Sequence, residues 1–169
     1  MRAMGIDCGT QFTGYGVVEQ ADDGRLGCVA LGVIKLSRYD DTAQKLAAIF
    51  SGLTAIIETH QPDMVAIEEI FYSVNVKSAL KLGQVRGVAL LAASRCKREV
   101  AEYSPLSIKS AVVGYGRAEK SQVQQMVTHL LGLKSVPDPP DISDALAIAI
   151  CHLNTYATLI RQQAAPAPR

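Results

Sequence analysis

Acidic residues stand at the ends of three separate segments of this sequence. One apolar run ends at Asp7, a second run ends at Glu68 and Glu69, and Asp141 and Asp144 open a segment with helical periodicity. A strand that ends in an acid places the carboxylate at the rim of a sheet, where a rigid element can hold it for a substrate or a metal ion. The spacing of three between Asp141 and Asp144 puts both on one face of a helix.

Convergence of these carboxylates would need electrostatic compensation. Their mutual repulsion would raise their pKa values and destabilise the fold unless a divalent cation offset it. Hard oxygen ligands without nearby His or Cys favour magnesium or manganese rather than zinc. Asp7, Asp141 and Asp144 also have simpler explanations, because an Asp near a glycine often caps a turn and a helix dipole favours acids in the first turn. The residues alone therefore leave both interpretations open.

The hydrophobic pattern predicts the elements that would position the acids. In chain order these are a hairpin over 4–18, a strand over 25–36, a helix over about 42–60, a strand over 63–69, a helix over 76–97, a strand over 100–103, a short helix over 104–113, a helix from about 118 and a last helix from 141. This order predicts an α/β fold in which a five-stranded mixed sheet, antiparallel at first and then parallel, is flanked by helices.

Length and composition restrict the class of protein. The chain has 169 residues, 49% of them hydrophobic, which suits one globular domain with a substantial core. We expect the domain to cover residues 1–158 and the proline-rich end, 159–169, to be a disordered tail. The sequence shows neither an apolar run of membrane-spanning length nor a signal-peptide pattern, which favours a cytoplasmic protein. The four cysteines lack C-x-x-C spacing, which argues against a zinc knuckle or a disulfide framework.

The charge is distributed unevenly along the chain. Its net value is only +1, yet the segment from Lys77 to Lys120 holds nine basic residues and three acidic ones, and so carries +6. The other eight basic and thirteen acidic residues give −5. A basic segment inside an otherwise acidic protein is typical of a protein that binds a phosphate backbone, although an ordinary solvated helix face would look the same.

Five short motifs together carry a family resemblance. They are GID-x-G-x3-TGYG from Gly5, AIE-x-x-F from Ala66, SALKLGQ-x-RGVA from Ser78, AEKSQV from Ala118 and D-x-x-DALAIAI from Asp141. Each is weak by itself, but all five in this order, over roughly residues 4–155, resemble the RuvC family of crossover (Holliday) junction endodeoxyribonucleases.

The resemblance implies a function and a set of partners. It implies an RNase H-like fold, a homodimer formed through the helix around 78–93, and magnesium-dependent cutting of two symmetrically placed DNA strands in recombination and repair. Two Mg²⁺ ions per active site, replaceable by Mn²⁺, would support a hydrolysis that leaves a 5′-phosphate and a 3′-hydroxyl. The implied partners are four-way junction DNA and the RuvA and RuvB branch-migration proteins.

The resemblance also assigns residues. The family's four acidic metal ligands, which are also catalytic, match Asp7, Glu68, Asp141 and Asp144, with Glu69 outside the set. Lys120 joins the catalytic residues, and Lys109 matches a second basic residue near the scissile phosphate. The expected DNA contacts are Phe71, Lys77, Lys81, Arg86, Lys109, Arg117 and Lys120. Phe71 would stack on bases near the exchange point, although an aromatic residue just after a strand is more commonly part of the core.

Three alternative functions fit parts of the sequence. The stretch from Asp7 to Thr10 is also similar to the phosphate loop of actin-like ATPases and sugar kinases, but those proteins need two such domains and this chain has room for one. The other two are an RNase H-like nuclease that acts on RNA and a branched-DNA binding module without catalysis. Cys8 and Gln11 depart from the proline and basic residue common in the RuvC family, which predicts a weaker grip on DNA at this turn.

Overall fold

A five-stranded mixed sheet forms the centre of the molecule. The computed structural model describes residues 1–69 and 76–164, with side chains as far as residue 158. Its strands are β1 (Arg2–Cys8), β2 (Phe12–Gln20), β3 (Leu26–Lys35), β4 (Met64–Glu68) and β5 (Glu99–Tyr103). They lie in the order β3-β2-β1-β4-β5, with β1, β2 and β3 antiparallel and β1, β4 and β5 parallel. The predicted meander followed by parallel crossovers is confirmed.

Five helices flank the sheet within the described ranges. They are α1 (Thr42–His60), α2 (Val76–Arg95), α3 (Pro105–Val113), α4 (Lys120–Leu130) and α5 (Pro140–Ala164). The Asp41 side chain caps α1 by accepting from the Gln44 amide, and the Ser104 hydroxyl caps α3 by accepting from the Ser107 amide. None of these helices is long and apolar enough to cross a membrane.

The last helix is longer than the sequence pattern indicated. It begins at Pro140 and continues to Ala164, six residues beyond the domain boundary expected at 158. Proline suits the first position of a helix, because its missing N–H would have no partner there. The remainder of the expected tail, residues 165–169, lies outside the described part of the chain.

Each face of the sheet packs against a different group of helices. Met4 and Ile6 of β1 point into a core completed by α1 and α2, which includes Leu53 and Val85. Ala3, on the other face of the same strand, belongs to a core completed by α3, α4 and α5. Because alternate residues of β1 are buried on opposite faces, this strand lies at the centre of both layers.

Helix α5 touches the sheet through its backbone. A Cβ atom added at Gly5 would lie 2.0 Å from the Ala145 carbonyl oxygen, and one added at Gly14 would lie 2.2 Å from the Asp141 carbonyl oxygen. Gly16 pairs with Gly5 across the hairpin, and a Cβ atom added there would lie 2.6 Å from the Leu146 side chain. Glycine at these three positions is therefore what lets the first turns of α5 lie directly on β1 and β2.

Replacement of Gly5 by Ala should force α5 away from the sheet. Since the new methyl group has no space beside the backbone at Ala145, we expect Gly5→Ala to lower the free energy of unfolding by about 3 kcal/mol or more. Urea unfolding measures this. Gly27→Ala on β3, where an added Cβ meets nothing within 4 Å, is the matched control and should change stability little. Equal stability of the two variants would contradict the close packing.

Candidate active site

Two neighbouring parallel strands deliver the first two acids. The register pairs Ile6 of β1 with Ile67 of β4, so the next residue of each strand, Asp7 and Glu68, ends up at the same rim of the sheet. Both lie on the face covered by α5, because Ala3 and Ala66, an even number of residues earlier, are in that core. The strand ends thus hold two carboxylates side by side.

Helix α5 supplies the other two acids from its first turns. The backbone of Asp141 rests on Gly14, the residue paired with Asp7 across the hairpin, and the side chain of Asp141 faces Gly9 of the β1–β2 turn. Asp144 lies one helical turn further along the same face. The structure therefore brings all four predicted acids, Asp7, Glu68, Asp141 and Asp144, to one place.

The electrostatics of Asp7 report how closely the acids interact. Burial, followed by the charges of Asp144, Asp141 and Glu68, raises the pKa of Asp7 to about 7, while Lys120 acts in the opposite direction. Burial and Asp144 also raise the pKa of Glu68, and Lys120 and Lys109 oppose this shift. The carboxylates are thus close enough to disfavour one another's ionised forms.

Lys120 is the cation bound within this cluster. Its Nζ atom donates a 2.6 Å hydrogen bond to Oδ2 of Asp144. Partial burial alone would lower the pKa of Lys120, but the bond to Asp144 and the charges of Asp7 and Asp141 outweigh it and raise the pKa. Lys120 is the first residue of α4, and the Gln122 side chain fixes the start of that helix by accepting from the Glu119 amide.

A cavity of about 250 Å³ opens beside the acids. Its polar wall consists of Glu68, Lys109, Lys120 and Asp144. Its apolar wall comes from α3, α4 and α5 and consists of Pro105, Ile108, Val123, Ala147 and Ile148. Both lysines that the sequence analysis placed near the reacting phosphate therefore line the same cleft as two of the acids.

The donor set suits a hard divalent cation. All four side chains offer oxygen, and two lysines leave part of their charge uncompensated. Among the described residues, no three His, Cys, Asp or Glu side chains are gathered closely enough to hold a metal ion as they stand. In this arrangement the Asp144 carboxylate is bound by Lys120.

The other predicted contacts differ in accessibility. Lys77, Lys81 and Arg117 are exposed. Arg86 instead forms an ion pair with Glu102 of β5, and only 16% of its side chain is exposed. Phe71 lies outside the described residues.

Glu69 does not share the position of its neighbour Glu68. Its backbone N–H donates to the Tyr103 carbonyl at 2.9 Å and so extends the pairing of β4 with β5. Since successive residues of an extended segment point to opposite faces, Glu69 is set apart from the four acids.

Some residues that build the site were missed by the sequence analysis. Gly14 and Gly16 were not singled out as packing positions, yet they lie within β2 and contact α5. Their alternation in TGYG was an available signal, because glycine at every second position of a strand indicates close approach of another backbone on one face. Tyr103, which pairs with Glu68, was also missed; its hydroxyl group lies 2.9 Å from Nδ1 of the buried His152 on α5.

The fold and the site together define a class. A mixed sheet in the order β3-β2-β1-β4-β5, with acids at the ends of its central parallel strands and on the facing helix, is the architecture of an RNase H-like nuclease. A sequence profile described as crossover junction endodeoxyribonuclease RuvC matches residues 3–152. The chain belongs to the RuvC family, whose nucleases are metal-dependent.

Individual relatives resemble the chain over nearly its whole length. A crossover junction endodeoxyribonuclease RuvC from Koribacter versatilis is 59% identical and covers 97% of this chain and 99% of its own. The Thermus thermophilus RuvC structure has a TM-score of 0.85 at 34% identity, and T. thermophilus RuvC in complex with Holliday junction substrate has 0.87 at 33%, each covering 94% of this chain and 96% of that chain. The yeast mitochondrial Holliday junction resolvase, at 14% identity and a TM-score of 0.72, shares the fold.

The raised pKa of Asp7 predicts a pH dependence of stability when divalent cations are removed. Between the ordinary value of 3.8 and the folded value of about 7, the folded chain binds more protons than the unfolded chain. The Asp7 contribution therefore lowers stability progressively as pH rises through this window. At pH 8 we expect Asp7→Asn to be more stable than the parent by on the order of 2 kcal/mol, and the difference to shrink towards pH 4.

Urea unfolding with a chelator at pH 4, 6 and 8 measures this difference. Asp22→Asn, in the exposed turn between β2 and β3, is the control for loss of an acid outside the cluster. Parallel stability profiles for Asp7→Asn and the parent would show that Asp7 does not carry the repulsion.

Proposed function

We propose that this chain is a crossover junction endodeoxyribonuclease that cuts four-way (Holliday) junction DNA by paired, symmetric nicks. The observation that carries the proposal is the gathering of Asp7, Glu68, Asp141 and Asp144 at one rim, in a chain whose family match spans residues 3–152. A structural neighbour at 33% identity is described in complex with Holliday junction substrate, which supports the choice of DNA. The role of such an enzyme is in recombination and repair.

The four acids are the proposed ligands of two Mg²⁺ ions, which Mn²⁺ can replace. Oxygen donors alone suit these hard cations, and cation charge would offset the repulsion that raises the pKa of Asp7. When bound, the ions supply activation of a water molecule and stabilisation of negative charge on the reacting phosphate. Asp144 would contribute a carboxylate oxygen to these ions, and in this structure its Oδ2 accepts a hydrogen bond from Lys120.

The protein's own residues hold and neutralise the phosphate. Lys109 and Lys120 line the cleft with Glu68 and Asp144, which supports a role for their ammonium groups in binding the scissile phosphate. Water loses a proton as its oxygen forms a bond to phosphorus, and the bond from phosphorus to the 3′ oxygen breaks. The 3′ oxygen takes up a proton and leaves as a 3′-hydroxyl, and the phosphate stays on the other strand end as a 5′-phosphate. Lys120 is the proposed catalytic cation because its ammonium group, which lines the cleft, would stabilise the charge that develops on phosphate oxygens.

Other basic residues extend the proposed DNA surface. Lys77, Lys81 and Arg117 are exposed and retain their role as phosphate contacts. Arg86 stays a predicted contact; its guanidinium group forms an ion pair with Glu102, and only 16% of its side chain is exposed. Phe71 keeps its proposed role in stacking on bases near the exchange point, which follows from the family resemblance alone.

Two symmetric cuts require two active sites, and α2 offers the surface for a homodimer. Along one face of this helix, Val76, Leu80 and Leu91 are more than half exposed, and Cβ atoms added at Gly83 and Gly87 would meet nothing within 4 Å. These five positions follow the spacing of a helix–helix contact. We propose a second copy of the chain as the occupant, and RuvA and RuvB as the branch-migration partners of the dimer.

Asp7→Asn should abolish cutting and leave junction binding intact. The amide removes a charged ligand at the centre of the four acids without removing any basic residue, so we expect at least a 10³-fold loss of cleavage rate and an unchanged dissociation constant. The assay offers a mobile four-way junction with Mg²⁺ and measures nicks on both strands.

Glu69→Gln is the matched control for Asp7→Asn, because Glu69 is an acid beside the site but outside the four. It should cut normally. Normal cutting by Asp7→Asn would remove Asp7 from the mechanism. Cleavage of RNA/DNA hybrids by the parent protein, with the junction left intact, would instead favour the alternative RNA-directed nuclease, and junction binding without any cleavage would favour the non-catalytic binding module.

Leu80→Glu should weaken the proposed dimer. A charge placed in an apolar helix contact loses its hydration on association, so we expect the dimer dissociation constant to rise at least tenfold. Sedimentation velocity over a concentration series measures it. Leu106→Glu, at 63% exposure against 65% for Leu80, is the control on α3 and should leave association unchanged. A monomeric parent protein, or equal association of both variants, would contradict the α2 interface.

A further inference from the structure

A second polar cavity lies at the same rim of the sheet, on the opposite face from the acids. Its volume is about 270 Å³. It is lined by the β1–β2 turn (Thr10, Gln11), by Leu36 after β3, by the start of α1 (Thr42, Lys45, Leu46) and by α2 (Lys81, Gln84, Val85). The turn that follows Asp7 therefore has the cleft with Glu68 and Asp144 on one side and this second cavity on the other.

The cavity is basic and uncompensated. Its two charged groups are Lys45 and Lys81, and none of its lining residues is acidic. Neither lysine has a hydrogen bond or an ion pair with a described side chain. The acid nearest to Lys45 in the sequence is Asp41, whose carboxylate accepts a hydrogen bond from the Gln44 backbone amide. Two ammonium groups that face one open space repel each other, and an anion between them would remove that cost.

The remaining groups add neutral hydrogen-bond donors. Thr10 and Thr42 contribute hydroxyl groups, and Gln11 and Gln84 contribute side-chain amides. Leu36 and Val85 are buried and form an apolar base beneath these groups. Two cations with several neutral donors above an apolar base suit a phosphate group, whose oxygens accept several hydrogen bonds at once.

We propose that this cavity holds one backbone phosphate of the DNA strand that crosses the rim, clamped between Lys45 of α1 and Lys81 of α2. The inference rests on the proposed function and deepens it. Lys109 and Lys120 bind the strand on the α5 side of the Asp7 turn, and the clamp binds it on the α1–α2 side. A strand held on both sides passes over Asp7, so Lys45 and Lys81 hold the strand in place at the rim.

The test is the salt dependence of DNA binding by Lys45→Gln, Lys81→Gln and the double variant. Fluorescence anisotropy on a linear duplex and on a four-way junction gives the slope of log K against log salt concentration. Loss of one phosphate contact lowers this slope by about 1. Because both lysines share one phosphate, the double variant should lose about 1 in total, not the sum of about 2 expected for two separate contacts. Lys45→Arg should retain the slope of the parent.

Lys97→Gln is the matched control, since Lys97 belongs to the same basic segment but precedes β5 at the opposite rim of the sheet. It should leave the slope unchanged. A double variant with the slope of the parent, or with two fully additive losses, would overturn the clamp. Lys81 is exposed, so its single variant remains informative if substitution of the half-buried Lys45 disturbs folding.

Cleavage by the parent protein separates this proposal from the proposed function. If the parent cuts the junction with Mg²⁺ and the lysine variants have the same salt dependence of DNA binding as the parent, the clamp is wrong and the proposed function stands. If the parent binds DNA without cutting and the double variant loses one unit of slope, the proposed function is wrong and the phosphate site stands.

Discussion

The direct contact between helix α5 and the sheet is the constraint on which the candidate active site depends. Gly5 and Gly14 leave no side chain between the strands and the helix, so the carbonyls of Ala145 and Asp141 lie where a Cβ atom would otherwise be. If side chains separated the helix from the sheet at these positions, acids on α5 would stand further from Asp7. The same contact fixes which residues of α5 face the rim.

That contact brings like charges together at the candidate site, where their repulsion opposes folding. Burial and three neighbouring carboxylates raise the pKa of Asp7 to about 7, and Lys120 compensates only part of this by binding Asp144. A fold optimised for stability alone would replace one of these acids with a neutral side chain. The repulsion among these carboxylates favours the binding of cations, because a bound positive charge would offset it.

Basic residues surround the acids without cancelling them. Lys109 and Lys120 lie on the α5 side of the Asp7 turn, whereas Lys45 and Lys81 lie on the α1–α2 side. Arg86 shows that a positive charge in the same sequence segment can serve another purpose, since it ties α2 to β5 through Glu102. Sequence position alone does not separate these roles, because the separation depends on which side of the sheet each helix covers.

The sequence by itself determined the elements and the identity of the acids. Apolar runs, caps such as Asp41 and Ser104, and the acids at strand ends are local signals, so the five strands and the positions of Asp7 and Glu68 could be derived before any coordinates. The family resemblance selected Glu68 rather than Glu69 as a ligand. It also assigned Lys109 and Lys120 to the reacting phosphate, although the sequence pattern alone does not distinguish them from other surface lysines.

Only the tertiary structure decided how these pieces meet. The engagement of Arg86 by Glu102, the bond from Lys120 to Asp144 and the seating of α5 on Gly14 join residues far apart in sequence. Such contacts depend on strand order and on the face that each helix covers, neither of which is encoded in a local pattern. The acids could therefore be identified from the sequence. The contact of α5 with the glycines of β1 and β2, which brings the acids together, was apparent only in the tertiary structure.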